Sequence, residues 1–239
     1  MDHQSAVVQK GQGTPVQDSS IHRRKFLLFS GAALATALVG VSCTADLGEE
    51  DGNGSNEVNL GSGDTGVLNY AYALEQLEAA FYSQVMATPF SGMTAIETEY
   101  LKDIRDHEIA HREFFKNALG SNAIQNLEVD FSSINFSSRD SVLATAKAFE
   151  DLGVSAYNGA GKLLTNADNL LVAGKIVSVE ARHAAAIREL INPGPGTAFA
   201  DAEVVNAQGL DVVRTPLQVL EIASAFLKTR LNARNLPTS

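Results

Sequence analysis

The sequence predicts an all-α protein, a four-helix bundle with one long crossover connection and an additional C-terminal helix. Three observations carry that expectation. Apolar residues recur at helical spacing through four long stretches between Val67 and Ile191, and no alternating apolar run is long enough to build a sheet. The connections between the four stretches run short, long, short, which is the order of two antiparallel hairpins joined by one crossover. Capping and breaking residues fall at the boundaries of the stretches.

Residues 1–20 are polar and unpatterned. Arg23-Arg24-Lys25-Phe26-Leu27-Leu28 and the mildly apolar run to Val41 then have the charge, order and modest hydrophobicity of a twin-arginine export signal, which assigns residues 1–42 to a signal peptide. The run from Phe26 to Val41 is 16 residues, and a bilayer span needs about 20. Cys43, the single cysteine, follows directly. Val41-Ser42-Cys43 resembles the end of a bacterial lipobox, with Gly40 departing from the larger aliphatic residue usual there. Cys43 is thus a candidate lipidated residue, giving a membrane partner and an envelope location, in the periplasm or as a membrane-anchored lipoprotein of a bacterium. The plainer alternative is ordinary cleavage nearby and a free thiol. Residues 43–66, rich in Gly, Asp, Glu, Asn and Ser, have the composition of an acidic tether.

Residues 67–239 remain as one domain with room for a sizeable core. The net charge is −10, and the first 42 residues carry Lys10, Arg23, Arg24 and Lys25 against Asp2 and Asp18, so the rest is more acidic still. That excludes nucleic acid as a natural partner and is read as a solubility device.

Helix one is expected from Val67 to Ala87, ending at Thr88-Pro89. Helix two opens on the capping box Thr94-Ala95-Ile96-Glu97 and closes at Gly120. Residues 121–136 show no sustained 3.6-residue period and form the crossover. Helix three starts at Ser137 or Ser138 and continues to about Leu164. Helix four begins after a short break at Thr165-Asn166 and is stopped by Asn192-Pro193-Gly194-Pro195-Gly196. Thr215-Pro216 opens helix five, with Thr as N-cap and Pro at the first helical position, reaching about Leu231.

Helices two and four each carry a Glu and a His three residues apart, Glu108 with His111 and Glu180 with His183. That spacing puts both side chains on one helix face, where they can reach one metal ion. One such pair says little, since 15 Glu and 5 His among 239 residues give about 0.3 matches by chance. The segments upstream strengthen it. Ala71-Tyr72-Ala73-Leu74-Glu75-Gln76-Leu77-Glu78-Ala79-Ala80-Phe81-Tyr82 aligns with Ala146-Lys147-Ala148-Phe149-Glu150-Asp151-Leu152-Gly153-Val154-Ser155-Ala156-Tyr157, sharing Ala, Ala, Glu, Leu and Tyr. The chain therefore repeats one unit: a Glu, a Tyr seven residues on, then Glu-x-x-His.

Glu75, Glu108, Glu150 and Glu180 are flanked at helical spacing by apolar residues, among them Leu74, Leu77, Ile104, Phe115, Phe149, Leu152, Ile176 and Ile187, and so point into the core. Four buried carboxylates without Lys or Arg on the same faces must be protonated or bound to cations. Two divalent ions balance four carboxylates, with two neutral imidazoles completing the ligation. Oxygen-rich ligation of this kind suits two iron ions, or manganese, better than copper or structural zinc.

One Glu on each of two helices and Glu-x-x-His on each of two others resembles the di-iron carboxylate site of the ferritin-like superfamily. Tyr82, seven residues after Glu75, is similar to the pattern in bacterioferritins and rubrerythrins. Leu68-Asn69-Tyr70-Ala71 with the segment Leu74 to Tyr82 is most similar to exported ferritin-like proteins related to desiccation-associated proteins. The resemblance spans roughly residues 67–191. It implies metal ligation by Glu75, Glu108, His111, Glu150, Glu180 and His183, with Tyr82 and Tyr157 donating to carboxylates of neighbouring helices; Glu78 is an alternative to Glu75. It also implies stress-related chemistry with O2 or peroxide, as in ferroxidases, rubrerythrin-like peroxidases and manganese catalases.

Other functions are open on the residues. His107-Glu108-Ile109-Ala110-His111 matches H-E-x-x-H, the zinc-binding helix of metallopeptidases, but that reading leaves the second Glu-x-x-His unexplained. A metal-binding, stress-protective structural protein without turnover is a further alternative. Iron storage in a closed shell sits poorly with a tether, whereas a homodimer is compatible with one.

Overall fold

A computed structural model describes residues 57–238, with 195 and 197 excepted. The export signal, Cys43 and the tether up to residue 56 lie outside the described residues. Four long helices form the body: α1 (Gly63–Ala87), α2 (Ala95–Leu119), α3 (Arg139–Ala160) and α4 (Ala167–Ile191). A short α5 (Pro216–Ala223) follows. The strands β1 (Glu57–Asn59) and β2 (Arg230–Asn232) pair in parallel. α1 packs on α2 and α3 on α4, and the two hairpins meet with α1 against α3 and α2 against α4.

The boundaries have local causes. Thr94 and Glu97 form a reciprocal capping box at the start of α2. Ser138 and Asn166 cap α3 and α4 by accepting backbone N–H bonds with their side chains. Glu97 also accepts from Arg139 Nε at 2.6 Å, while Arg139 Nη2 donates to the Leu190 carbonyl at 2.6 Å. One arginine thereby ties the start of α2 and of α3 to the end of α4. At the other end Asp64 accepts from Thr165 N at 2.8 Å and from Asn166 N at 3.0 Å, which locks α1 to the α3–α4 turn.

α1 is the central helix, buried on most of its circumference. Two of its polar side chains are satisfied by the crossover and the segment before the helix: Asn69 donates to the Leu60 and Asn122 carbonyls and accepts from Ile124 N, and Gln76 accepts from Leu127 N. Phe81 packs edge-on against Tyr82, Phe131 and Phe149, joining crossover and hairpins in one core.

Three expectations change. Residues 57–66, assigned by composition to the tether, contain β1, the fully buried Leu60 and the first turn of α1. A small sheet exists although no alternating run foretells it, because β1 finds its partner in the C-terminal tail, with Glu57 opposite Arg230 and Asn59 opposite Asn232. The fifth helix stops at Ala223 rather than near Leu231. Beyond it the backbone pairs with the crossover, Asp130 N donating to Phe226 O and Lys228 N to Glu128 O, and that pairing overrides helical propensity. Among the described residues no helix is long and apolar enough to cross a membrane.

Candidate metal centre

Glu75, Glu108, Glu150 and Glu180 are each 0% exposed, one from each of α1 to α4. Together with His111 and His183 they form two quartets. Glu75, Glu108, His111 and Glu180 bring one ligand atom apiece within 4.8 Å of each other, and so do Glu108, Glu150, Glu180 and His183. His111 Nδ1 lies 2.9 Å from Glu180 Oε1, 3.4 Å from Glu75 Oε2 and 3.6 Å from Glu108 Oε2. His183 Nδ1 lies 2.8 Å from Glu108 Oε1, 3.4 Å from Glu150 Oε2 and 3.6 Å from Glu180 Oε2. The sequence repeat is therefore a spatial repeat. Glu108 and Glu180 each give one oxygen to either quartet, as bridging carboxylates would, and Glu75 and Glu150 serve one quartet each.

Those eight atoms, six carboxylate oxygens and two imidazole nitrogens, are all buried and none has a hydrogen-bond partner. The short N···O distances lack hydrogen-bond alignment, so the atoms converge on shared points rather than on one another. Buried polar atoms are normally paired, and leaving one unpaired costs about 1–3 kcal/mol, more when charged. Divalent cations fit such a donor set, whose hard oxygens and paired imidazoles suit iron or manganese.

The oxygens turned away from the quartets are held. Tyr82 donates to Glu150 Oε1 at 2.5 Å, and Tyr157 donates to Glu75 Oε1. Burial pushes both phenols well above their ordinary range, so they remain proton donors. Each tyrosine reaches across from the opposite hairpin and holds one quartet carboxylate.

Proton distribution in the metal-free protein follows from burial and proximity. Burial, reinforced by Glu180, pushes Glu108 well above the carboxylate range, and burial raises Glu150 to about 7. Burial acts the same way on Glu180, but the charge and close approach of His111 and His183 outweigh it and hold Glu180 at about 2. Burial depresses His183, yet Glu150, Glu108 and Glu180 lift it to about 12, and His111 is raised likewise beside Glu75. Without metal the imidazoles thus carry protons, in the place where cations would sit.

The family model for the ferritin-like domain matches residues 63–193. The chain belongs to the ferritin-like domain family. No curated protein matches the sequence. The matched range runs from the start of α1 to just past the end of α4 and contains every member of both quartets, while α5, β1 and β2 lie outside it.

Two further residues border the quartets. H-E-x-x-H would require His107 and His111 on one zinc; instead the His107 ring stacks on His183, and its Nδ1 meets His183 Nε2 at 2.9 Å. It engages His183 Nε2 while His183 Nδ1 faces the quartet carboxylates. Glu78, read only as an alternative to Glu75, is buried beside the four quartet carboxylates. The signal that could have found it is its spacing, one helical turn after Glu75 and one before Tyr82. A cavity of about 700 Å³ elsewhere, lined by Asn59, Asn122, Gln125 and Lys228 among others, includes none of these residues.

Proposed function

We propose that this chain is an exported ferritin-like protein whose two quartets hold a pair of iron or manganese ions that consume O2 or peroxide in stress defence. The observation that carries this reading is the set of eight buried, unpartnered donor atoms, divided equally between two sites that share Glu108 and Glu180. Bound there, the pair would supply redox chemistry and a place for a small oxidant. Glu75, Glu108, His111, Glu150, Glu180 and His183 would hold the ions. The Tyr82 and Tyr157 hydroxyls keep Glu150 and Glu75 from rotating away, and His107, by accepting from His183 Nε2–H, would leave His183 Nδ1 to an ion once the metal displaces its proton. Carboxylates and imidazoles buried to this degree keep bulk water from the donor atoms.

The Arg23-Arg24 signal supports export in a folded, metal-loaded state, and Cys43 supports anchoring to an envelope membrane through a lipid. The test is peroxide and O2 consumption by the chain from Thr44 to Ser239 loaded with iron or manganese. Turnover well above that of the free metal, lost in Glu108→Ala, is expected. A rate no higher than free metal would leave a metal-binding protein without turnover, the stress-protective alternative.

A further inference from the structure

The two halves of the metal centre are packed differently around their tyrosines. Tyr82 reaches Glu150 and Tyr157 reaches Glu75, so each tyrosine marks one half. The offset of 75 residues that maps Glu75 onto Glu150 and Tyr82 onto Tyr157 also maps Leu74 onto Phe149 and Phe81 onto Ala156. The Tyr82 side therefore receives two phenylalanines where the Tyr157 side receives a leucine and an alanine. Rings fill the first side. Between ring centres Phe81 lies 5.0 Å from Tyr82 and 5.1 Å from Phe149, and Phe149 lies 4.8 Å from Phe226.

On the Tyr157 side the smaller residues leave a cavity of about 20 Å³ between the helices. Its lining runs from part-exposed Leu68, Leu164 and Ala173 to buried Leu74, Ala156 and Tyr157. It follows the seam between the two apolar clusters of the core, Leu74 and Ala156 belonging to the larger and Tyr157 to the smaller. No polar atom is exposed on its walls. Tyr157 meets the metal centre as well, since its hydroxyl donates to Glu75.

A cavity of about 10–15 Å³ admits one water-sized molecule, but a water needs about two to four polar partners, and apolar cavities instead stay dry and take up xenon. Hydrogen peroxide would likewise lose its hydrogen bonds on entering. Dioxygen is small and apolar and has none to lose. We propose that this cavity is a dioxygen site, which admits O2 but not peroxide to the Glu75 half of the metal centre while Phe81 and Phe149 seal the Glu150 half. This rests on the proposed consumption of O2 or peroxide and names O2 as the substrate.

Xenon is the probe for the cavity, bound to the wild type, Leu74→Phe and Ala156→Val and followed by xenon-129 NMR. Stopped-flow oxidation of bound iron(II) by O2, and separately by hydrogen peroxide, shows what the cavity serves. Leu74→Phe inserts the residue that the counterpart position carries. Ala156→Val fills less space and carries the test if the larger change does not fold. One xenon site in the wild type, lost in the variants, is expected, with iron held at two ions per chain throughout. Oxidation by O2 should slow several-fold in the variants, and oxidation by peroxide should keep its wild-type rate. A wild type that binds no xenon would overturn the proposal, as would variants that lose xenon yet keep the wild-type rate with O2. Equal slowing with both oxidants would overturn it too, since the variants would then be disturbing the centre itself. A wild type that holds two iron ions and reacts with neither oxidant would bring down the proposed function, and this inference with it, whatever its xenon binding.

Discussion

Tyr82 and Tyr157 show how much one hydroxyl can decide. Each spans the interface between hairpins to hold a carboxylate whose other oxygen belongs to a quartet. Tyr82→Phe removes that restraint from Glu150 while keeping the ring packed on Phe81. Metal affinity should fall about 10- to 100-fold, read by competition with a chelator, while the helical circular dichroism stays unchanged. The titrating groups make a second expectation. In the metal-free protein Glu150 binds its proton more tightly when folded, about 7 against 4.5, so its contribution to stability falls as pH rises from 4.5 to 7. His183, at about 12 against 6.5, adds stability that is complete below pH 6.5 and lost as pH rises towards 12. Glu180, at about 2 against 4.5, loses its contribution as pH falls from 4.5 to 2. The melting temperature of the metal-free protein should therefore peak near pH 5 and decline towards pH 8. Metal binding displaces those protons, so the stabilisation by iron(II) or manganese(II) should instead grow over the same range. A metal-free melting temperature that rises from pH 5 to 8 would contradict this assignment of protons.

At the scale of elements, helix boundaries were legible because short-range chemistry sets them. The capping box at Thr94 and Glu97, Ser138 before α3, and Thr215-Pro216 before α5 stand where the sequence puts them. Thr94→Ala should cost about 1 kcal/mol of stability and leave metal content intact, checked by denaturant unfolding of the metal-free chain. Phe81→Ala should cost about 3–5 kcal/mol, since Phe81 is fully buried where both hairpins and the crossover meet. What escaped sequence reading is what depends on distant partners. β1 is three residues long and pairs with residues 230–232, and the tail beyond Ala223 leaves the helix to bond with Glu128 and Asp130. No local pattern encodes such pairing. Glu78 reads in the sequence as a mere alternative for the related reason that its surroundings come from the opposite hairpin, where Gly153 leaves it space.

Across the whole molecule, the duplicated unit explains both fold and site. Each hairpin alone provides one carboxylate, one Glu-x-x-His and one tyrosine, and its buried charges are met only when the other hairpin docks. Metal should therefore act as a bond between the halves, stabilising the fold by far more than the loss of any single surface ion pair would remove. The six residues of the two quartets stand out in the sequence because they repeat. The shared use of Glu108 and Glu180, which turns two sites into one centre, required coordinates. The most direct test of that centre is the metal content of the chain from Thr44 to Ser239, purified without chelator or affinity metal, beside the Glu108→Ala, Glu180→Ala double variant. Two iron or manganese ions per chain, absent from the double variant, are expected. A single zinc retained when Glu180 alone is changed, or no metal after reconstitution, would contradict the account.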